Sequence, residues 1–307
     1  MGWIMKQLML HIPKLVKLAD DKRMAKQQPI AGIEEKKDIA YTNTGNPMHR
    51  LNVYYPQGIQ GDLPIIVNIH GGGFVYGDKD LNRFSNQFMA SKGFVVVAMS
   101  YRLLSETDLK GVVQDLFNCL HWFEANAAKY HGDLSNVFIC GDSAGGHLSG
   151  LVTCIQLDSN LQMLYDVTPV SFPIRAIGMS HGVPKAGAGS AGKGKLGKMI
   201  DNKVGQMIHG MQPSKSPLLG KIAFEDTCRG LDIPPIFLVS CEKDGLHTQT
   251  LELAEYLKQN NIEHELLYWD KAKSPKLKHV FNVTNPEWPE SIESNTAMTE
   301  FFKKWMV

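Results

Sequence analysis

The sequence predicts an α/β protein: a mostly parallel central sheet with helices on both faces. Three observations carry that expectation. From residue 64 onward, apolar strand-like runs alternate with helical patterns, the mark of parallel strands joined by crossover helices. The runs Pro64 to His70, Phe94 to Tyr101 and Val137 to Cys140 are almost continuously apolar, as strands buried on both faces are. Two of those runs end in glycine-rich turns, His70-Gly71-Gly72-Gly73-Phe74 and Gly141-Asp142-Ser143-Ala144-Gly145-Gly146.

The elements follow in chain order. Residues 1–28 read as one amphipathic helix or two short ones, broken near Pro13. Ile4, Leu8, Ile12, Leu15, Val16 and Ala19 fall at helical spacing, and lysines populate the rest. This segment is expected to lie over the body of the fold as part of a cap. Lys37 to Asn43 and Arg50 to Tyr55 read as an edge hairpin around the turn residues Thr44-Gly45-Asn46-Pro47. After the first buried strand come a helix over Leu81 to Lys92, a second buried strand, and a long helix over Asp108 to Tyr130. Val112, Val113, Leu116, Phe117, Leu120 and Phe123 form its apolar face. Ala144 to Leu157 is a helix. Strands are expected at Ile174 to Ser180, Ile236 to Cys241 and His264 to Trp269, with helices at His247 to Gln259 and Ser291 to Val307. The interval 184–230 breaks the rhythm. It opens rich in Gly, Ala and Lys and ends with scattered Met, Ile and Leu, which suggests a flexible lid inserted into a single domain of 1–307.

The chain's 307 residues are 43% apolar and 21% charged, an ordinary globular balance. A net charge of +1 implies no pull toward nucleic acid. The five cysteines (119, 140, 154, 228 and 241) show no metal-type spacing and are expected to be reduced, buried thiols of an intracellular protein. No clear export signal and no run near the roughly 20 apolar residues of a membrane span is present. The expectation is therefore a cytoplasmic chain without stable membrane insertion, with homodimerisation left open.

The chemistry centres on Ser143. G-x-S-x-G between an apolar strand and a helix is the context of a nucleophile elbow, in which glycines clear room beside a serine on a strained turn. The serine there stands at a helix N-terminus, whose N–H groups favour developing negative charge. The second glycine-rich turn supplies what such a site also needs. Backbone N–H groups of Gly72 and Gly73, with that of Ala144, are the expected oxyanion hole. Phe74, beside those glycines, is a candidate substrate contact.

A serine hydroxyl needs a base, and the base needs an orienting acid. On the α/β-hydrolase fold these follow in the order serine, acid, histidine. His279, in the loop after the last strand, is the candidate base, and Phe281 beside it a candidate substrate contact. His70 is expected to anchor its own loop. His147 lies one helical turn past Ser143 and is badly aimed. His181, at a strand end, is the rival. For the acid, Asp244 is preferred to Glu242 because it lies farther into its loop. Asp142 reads as a brace and Asp270 as a solvated charge.

H-G-G-G-F at 70–74, G-D-S-A-G-G at 141–146, D-G-L at 244–246 and H-V-F at 279–281 together resemble the hormone-sensitive-lipase-like branch of the α/β-hydrolases. The tract Ser100-Tyr101-Arg102-Leu103 is similar to that branch's D-Y-R-L. The resemblance spans about residues 50–305. It implies hydrolysis of carboxylic esters, usually with short acyl chains, without metal or cofactor, and an N-terminal helical cap. Three positions depart from the pattern: Ser100 replaces an aspartate, Val280 replaces the glycine after the base, and Leu103-Leu104-Ser105-Glu106 lacks the familiar A-P-E. With the Gly/Lys-rich insertion, these point to small, soluble or carbohydrate-linked esters rather than long-chain lipids. The competing readings are an arylformamidase or small-peptide hydrolase on the same fold, and a non-catalytic binding module.

Overall fold

A computed structural model describes residues 16–185, 204–209 and 213–307. Eight strands form one sheet: β1 Ile33–Ala40, β2 Arg50–Pro56, β3 Leu63–Ile69, β4 Val95–Met99, β5 Gly132–Asp142, β6 Ile174–Ser180, β7 Ile236–Cys241 and β8 His264–Trp269. Their spatial order is β1-β2-β4-β3-β5-β6-β7-β8. β1 and β2 join antiparallel at one edge, and β4, β3, β5, β6, β7 and β8 run parallel.

The period-two alternation of the strands sorts their side chains into two cores. Ile65, Val67, Ile69, Val95, Val97, Val137 and Ile139 face one side, under the helices Leu109–Asn126, Ala144–Leu157 and His247–Gln259. Ile66, Val96, Ala98, Phe138, Cys140, Phe237 and Val239 face the other, under Arg83–Ser91 and Pro289–Lys304. Strands buried on both sides have no polar face to show, which is why they read as near-continuous apolar runs. All five cysteines are buried and unpaired.

Several strands and helices begin and end where the sequence predicts: β6, β7, β8, Ala144–Leu157 and His247–Gln259. The edge hairpin differs. β1 pairs from Ile33 rather than Lys37, and its register shifts between Lys36 and Ile39, where Asp38 takes φ 56°. An exposed edge strand carries little apolar signal, so its start is set by pairing and by the Glu35–Arg83 ion pair. The helix Ser159–Tyr165 was not expected. Asp158 caps it by accepting from the Asn160 N–H at 2.7 Å.

Residues 1–15, 186–203 and 210–212 of the expected cap and lid lie outside the described residues. Residues 16–24 are helical. Tyr76 O–H donates to Asp20 Oδ2 at 2.8 Å, and Arg23 Nη1 and Gln27 Nε2 both donate to the Thr284 carbonyl at 2.8 Å. The far part of the 184–230 interval is anchored, since Leu218, Ile222 and Phe224 are buried in the first core. Among the described residues no helix is long and apolar enough to cross a membrane.

Candidate active site

The site gathers at the carboxyl ends of the parallel strands, where α/β sheets commonly hold ligands. β5 ends at Asp142 and the next helix starts at Ala144, so Ser143 alone makes the turn, at φ 51° and ψ −116°. That φ is uncommon for a residue with a Cβ and marks backbone strain. The turn closes because its neighbours are glycines. A Cβ on Gly145 would overlap the Ile69 carbonyl oxygen, and one on Gly141 would stand 2.6 Å from that same oxygen. The Ser143 N–H is fixed by the Ser180 carbonyl of β6 at 2.9 Å.

Past β3, Gly72 takes φ 103° and Gly73 φ 61°. A Cβ on Gly72 would collide with the Tyr76 carbonyl, whereas the space beside Gly73 is open. This loop is tied to the elbow by Asp142, whose Oδ1 accepts from Gly71 N at 2.9 Å and Asn82 Nδ2 at 2.7 Å. Asp142 is thus a brace. His70 donates from Nδ1 to the Gly71 carbonyl at 2.8 Å, and its ring stacks on Tyr101 at 4.3 Å. Ala144 opens its helix, so its N–H has no partner within that helix. The two loops bring the Gly72, Gly73 and Ala144 backbones to the same end of the sheet as Ser143.

Ser143 Oγ lies 2.9 Å from His279 Nε2, and His279 Nδ1 lies 3.0 Å from Asp244 Oδ1. The hydroxyl donates to Nε2, and Nδ1–H donates to the carboxylate. Asp244 is buried in the turn after β7, and its Oδ1 also accepts from Leu246 N at 2.9 Å. Burial alone would raise its carboxyl. The hydrogen bonds from His181 and His279, with the positive charge either ring can carry, outweigh burial and hold it well below the usual carboxylate range. An anionic Asp244 fixes the His279 tautomer that leaves Nε2 free to accept a proton.

The other candidates fall elsewhere. Glu242 turns away from the histidines and pairs with Lys271 at 2.5 Å. His147 is buried, donates from Nδ1 to the Val183 carbonyl at 3.0 Å, and burial pushes its pKa down to about 4. Asp270 accepts from Ala272 N at 2.6 Å within its own turn. Phe74 and Phe281, expected as substrate contacts, are corrected: they are only 3% and 1% exposed. Phe74, at φ 65°, packs edge-on against His147 in the first core. Phe281 starts a short helix that turns its ring into the second core, edge-on to Trp269.

Sequence reasoning missed a polar scaffold behind the site. Asn82 links Asn68 to Asp142, and Asn282 donates to Ser180 Oγ at 2.9 Å and to Asn295 at 2.9 Å. It also missed that His181 donates from Nδ1 to Asp244 Oδ2 at 2.7 Å. Asn68, an amide inside an otherwise apolar strand run, was the available signal, since a buried amide must find partners. Among the described residues one cluster has metal-ligand spacing, His181, Asp244 and His279, within 4.8 Å of one another. Its Nδ1 atoms stand at hydrogen-bond distance from the carboxylate, so an ion there would have to displace both protons and break the Asp244–His279 bond.

This geometry can be set beside known proteins. The model of the BD-FAE family matches residues 51–257, two-thirds of the chain. The chain belongs to the BD-FAE family of α/β-hydrolases. Esterase B of Lactobacillus rhamnosis is a structural relative of this BD-FAE protein at 32% identity and a TM-score of 0.91, covering 97% of this chain and 95% of that one. A structure of the same esterase described as tributyrin phosphonate inhibited superposes with a TM-score of 0.90 at 32% identity, over 97% and 96% of the two chains. Carboxylesterase NlhH of Mycobacterium tuberculosis is 25% identical over 223 residues, 70% of this chain and 67% of its own. Kynurenine formamidase of Danio rerio is 26% identical over 144 residues, 45% of this chain and 46% of its own. The BD-FAE chain is a serine hydrolase of the carboxylic-ester class.

Proposed function

We propose that this hydrolase cleaves short-chain carboxylic esters through an acyl-enzyme on Ser143. The observation that carries the reading is the unbroken chain Ser143 Oγ–His279–Asp244, with links of 2.9 and 3.0 Å. In this reading His279 Nε2 takes the hydroxyl proton as Oγ attacks the ester carbonyl carbon. The carbonyl oxygen becomes an oxyanion facing the N–H groups of Gly72, Gly73 and Ala144. Collapse of the tetrahedral intermediate expels the alcohol, which leaves with the proton held on His279. Water, deprotonated by the same nitrogen, then attacks the acyl carbon and releases the acid and Ser143. Asp244 orients His279 and stabilises its transient positive charge.

The short-chain preference draws support from esterase B, described in complex with a tributyrin phosphonate. We also read residues 16–28 as a roof over this site. Their bonds to Tyr76, after the oxyanion glycines, and to Thr284, after His279, bridge its two walls. The formamidase relative favours a second reading, hydrolysis of an aryl formamide by the same residues.

The test is hydrolysis of p-nitrophenyl acetate, butyrate and decanoate by wild type and Ser143→Ala. Cleavage of the first two, with a loss in the variant on the order of 10⁴-fold or more, is the expected result. A variant with wild-type rates would remove Ser143 from the mechanism. Wild-type inactivity on all three, with turnover of an N-formyl arylamine, would favour the second reading.

A further inference from the structure

Beside the three residues already given roles stands a fourth side chain. His181 follows the last residue of β6, the strand between Ser143's β5 and Asp244's β7. It is fully buried, and its backbone takes φ 53° with its N–H on the Val239 carbonyl at 2.7 Å. Its ring meets His279 at 5.6 Å and Phe281 at 5.4 Å, both edge to face. Its Nδ1 lies 2.7 Å from Asp244 Oδ2, shorter than the 3.0 Å between His279 and Oδ1. Among the described residues, its Nε2 has no hydrogen-bond partner.

A carboxylate removed from water needs donors on both oxygens. In Asp244, Oδ1 has two, His279 Nδ1–H and Leu246 N–H, while the described contact on Oδ2 is His181. We propose that His181 is a positioning residue for the ester hydrolysis: its Nδ1–H pins Oδ2 of Asp244 and so keeps Oδ1 aimed at His279. The inference rests on the reading of Ser143, His279 and Asp244 given above. A neutral ring does this better than a cation. Lysine or arginine in its place would also satisfy Oδ2, but its charge would repel the imidazolium that forms on His279 during reaction. Burial favours the uncharged ring at His181, against the pull of Asp244. With one proton to place, the ring puts it on Nδ1, facing the carboxylate, and leaves the lone pair on the unpartnered Nε2.

The pin also limits how strongly Asp244 can pull on His279. A short bond on Oδ2 stabilises the carboxylate anion and lowers its basicity, so Oδ1 is a weaker acceptor. Removing that bond strengthens its hold on the charged His279 ring and moves the acid limb of the rate profile to higher pH. The titratable groups that act on this pair from neighbouring elements include Asp142 from β5, Cys241 from β7 and Tyr268 from β8.

The experiment compares His181→Phe, His181→Asn and His181→Gln on p-nitrophenyl butyrate across pH, with Ser143→Ala as control. The amide nitrogen of asparagine can stand where Nδ1 stands; that of glutamine reaches past it. Phenylalanine and glutamine should lower kcat by roughly 10–100-fold with little change in KM, taking the scale on which the outer hydrogen-bond partners of metal-bound histidines act. Asparagine should recover to within a few-fold of wild type. The acid limb should move up in pH in the first two and not in the third. Equal loss in asparagine and glutamine would reduce His181 to a packing role and overturn the proposal. So would wild-type kcat and pH profile in all three. Should the phenylalanine protein not fold, the asparagine–glutamine pair decides. Full activity in Ser143→Ala would instead sink the reading of the triad, whatever the His181 variants do.

Discussion

Ser143 and its partners are held by different means. Around Ser143 the tightest constraints are backbone on backbone, with the Asp142 carboxylate as a side-chain tie: Gly145 against the Ile69 carbonyl, Gly72 against the Tyr76 carbonyl, and the Ser143 N–H on the Ser180 carbonyl. Around Asp244 and His279 they are side-chain hydrogen bonds, from His181, His279 and the Leu246 N–H, set in turns that follow β7 and β8. A backbone constraint is steric and tolerates no added atom. A side-chain constraint is electrostatic and answers to the loss of a donor or a change in protonation. The serine end should therefore break in folding, and the acid end in rate and in pH dependence.

The largest effect that sharpens this contrast is Asp244→Asn. The amide presents a donor where His279 needs an acceptor, which favours the wrong tautomer. A fall in kcat of about 10⁴-fold with the fold intact is expected, measured on p-nitrophenyl butyrate beside a thermal melt. A variant that melts far below wild type would mean Asp244 is structural first.

Next comes Gly145→Val. The overlap with Ile69 falls on backbone that cannot yield, so a destabilisation of about 4 kcal/mol or more is expected in urea unfolding, or no soluble protein at all. Near-wild-type stability would show that the elbow can open, and would erase the contrast.

The smallest effect is on stability in acid. Burial lowers the pKa of His70, His147 and His181, in each case against a hydrogen-bonded acceptor that pulls the other way. For His147 the folded value is about 4, against about 6.5 for an unfolded histidine. The unfolded chain takes up the proton first, so stability is lost as pH falls from about 6.5 toward 4, by up to about 3 kcal/mol for this one residue. Urea midpoints at pH 7, 6, 5 and 4 measure it. A flat series would mean the site opens to admit protons without unfolding.

The same contrast governs what could be read from the sequence. The parallel strands and the elbow were legible because their determinants are local: mostly apolar runs for β3 to β7, and glycines that leave no alternative to a tight turn. Asp244 and His279 were reachable only through chain order on an assumed fold, because their meeting depends on strands far apart in sequence. His181 drew notice at a strand end, but its bond to Asp244 follows from β6 lying beside β7, which no local pattern records. Phe74 and Phe281 went astray for a related reason. Their neighbours in sequence face the site, yet left-handed backbone at Phe74 and at Val280, just before Phe281, turns each ring inward. Val280 holds φ 51°, a left-handed conformation that suits glycine far better than a β-branched residue.

The buried cysteines carry a practical consequence. Cys119, Cys154 and Cys228 lie in the core on one side of the sheet, Cys140 and Cys241 in the core on the other. Burial raises the pKa of Cys140 and Cys154 to about 12 and of Cys241 to about 11, so these sulfurs stay protonated and unreactive at neutral pH. An alkylating reagent can reach them only when the layer above each one lifts. The native chain thus carries its own set of clocks, and the order in which its thiols become labelled would time the opening of each face without any probe being introduced.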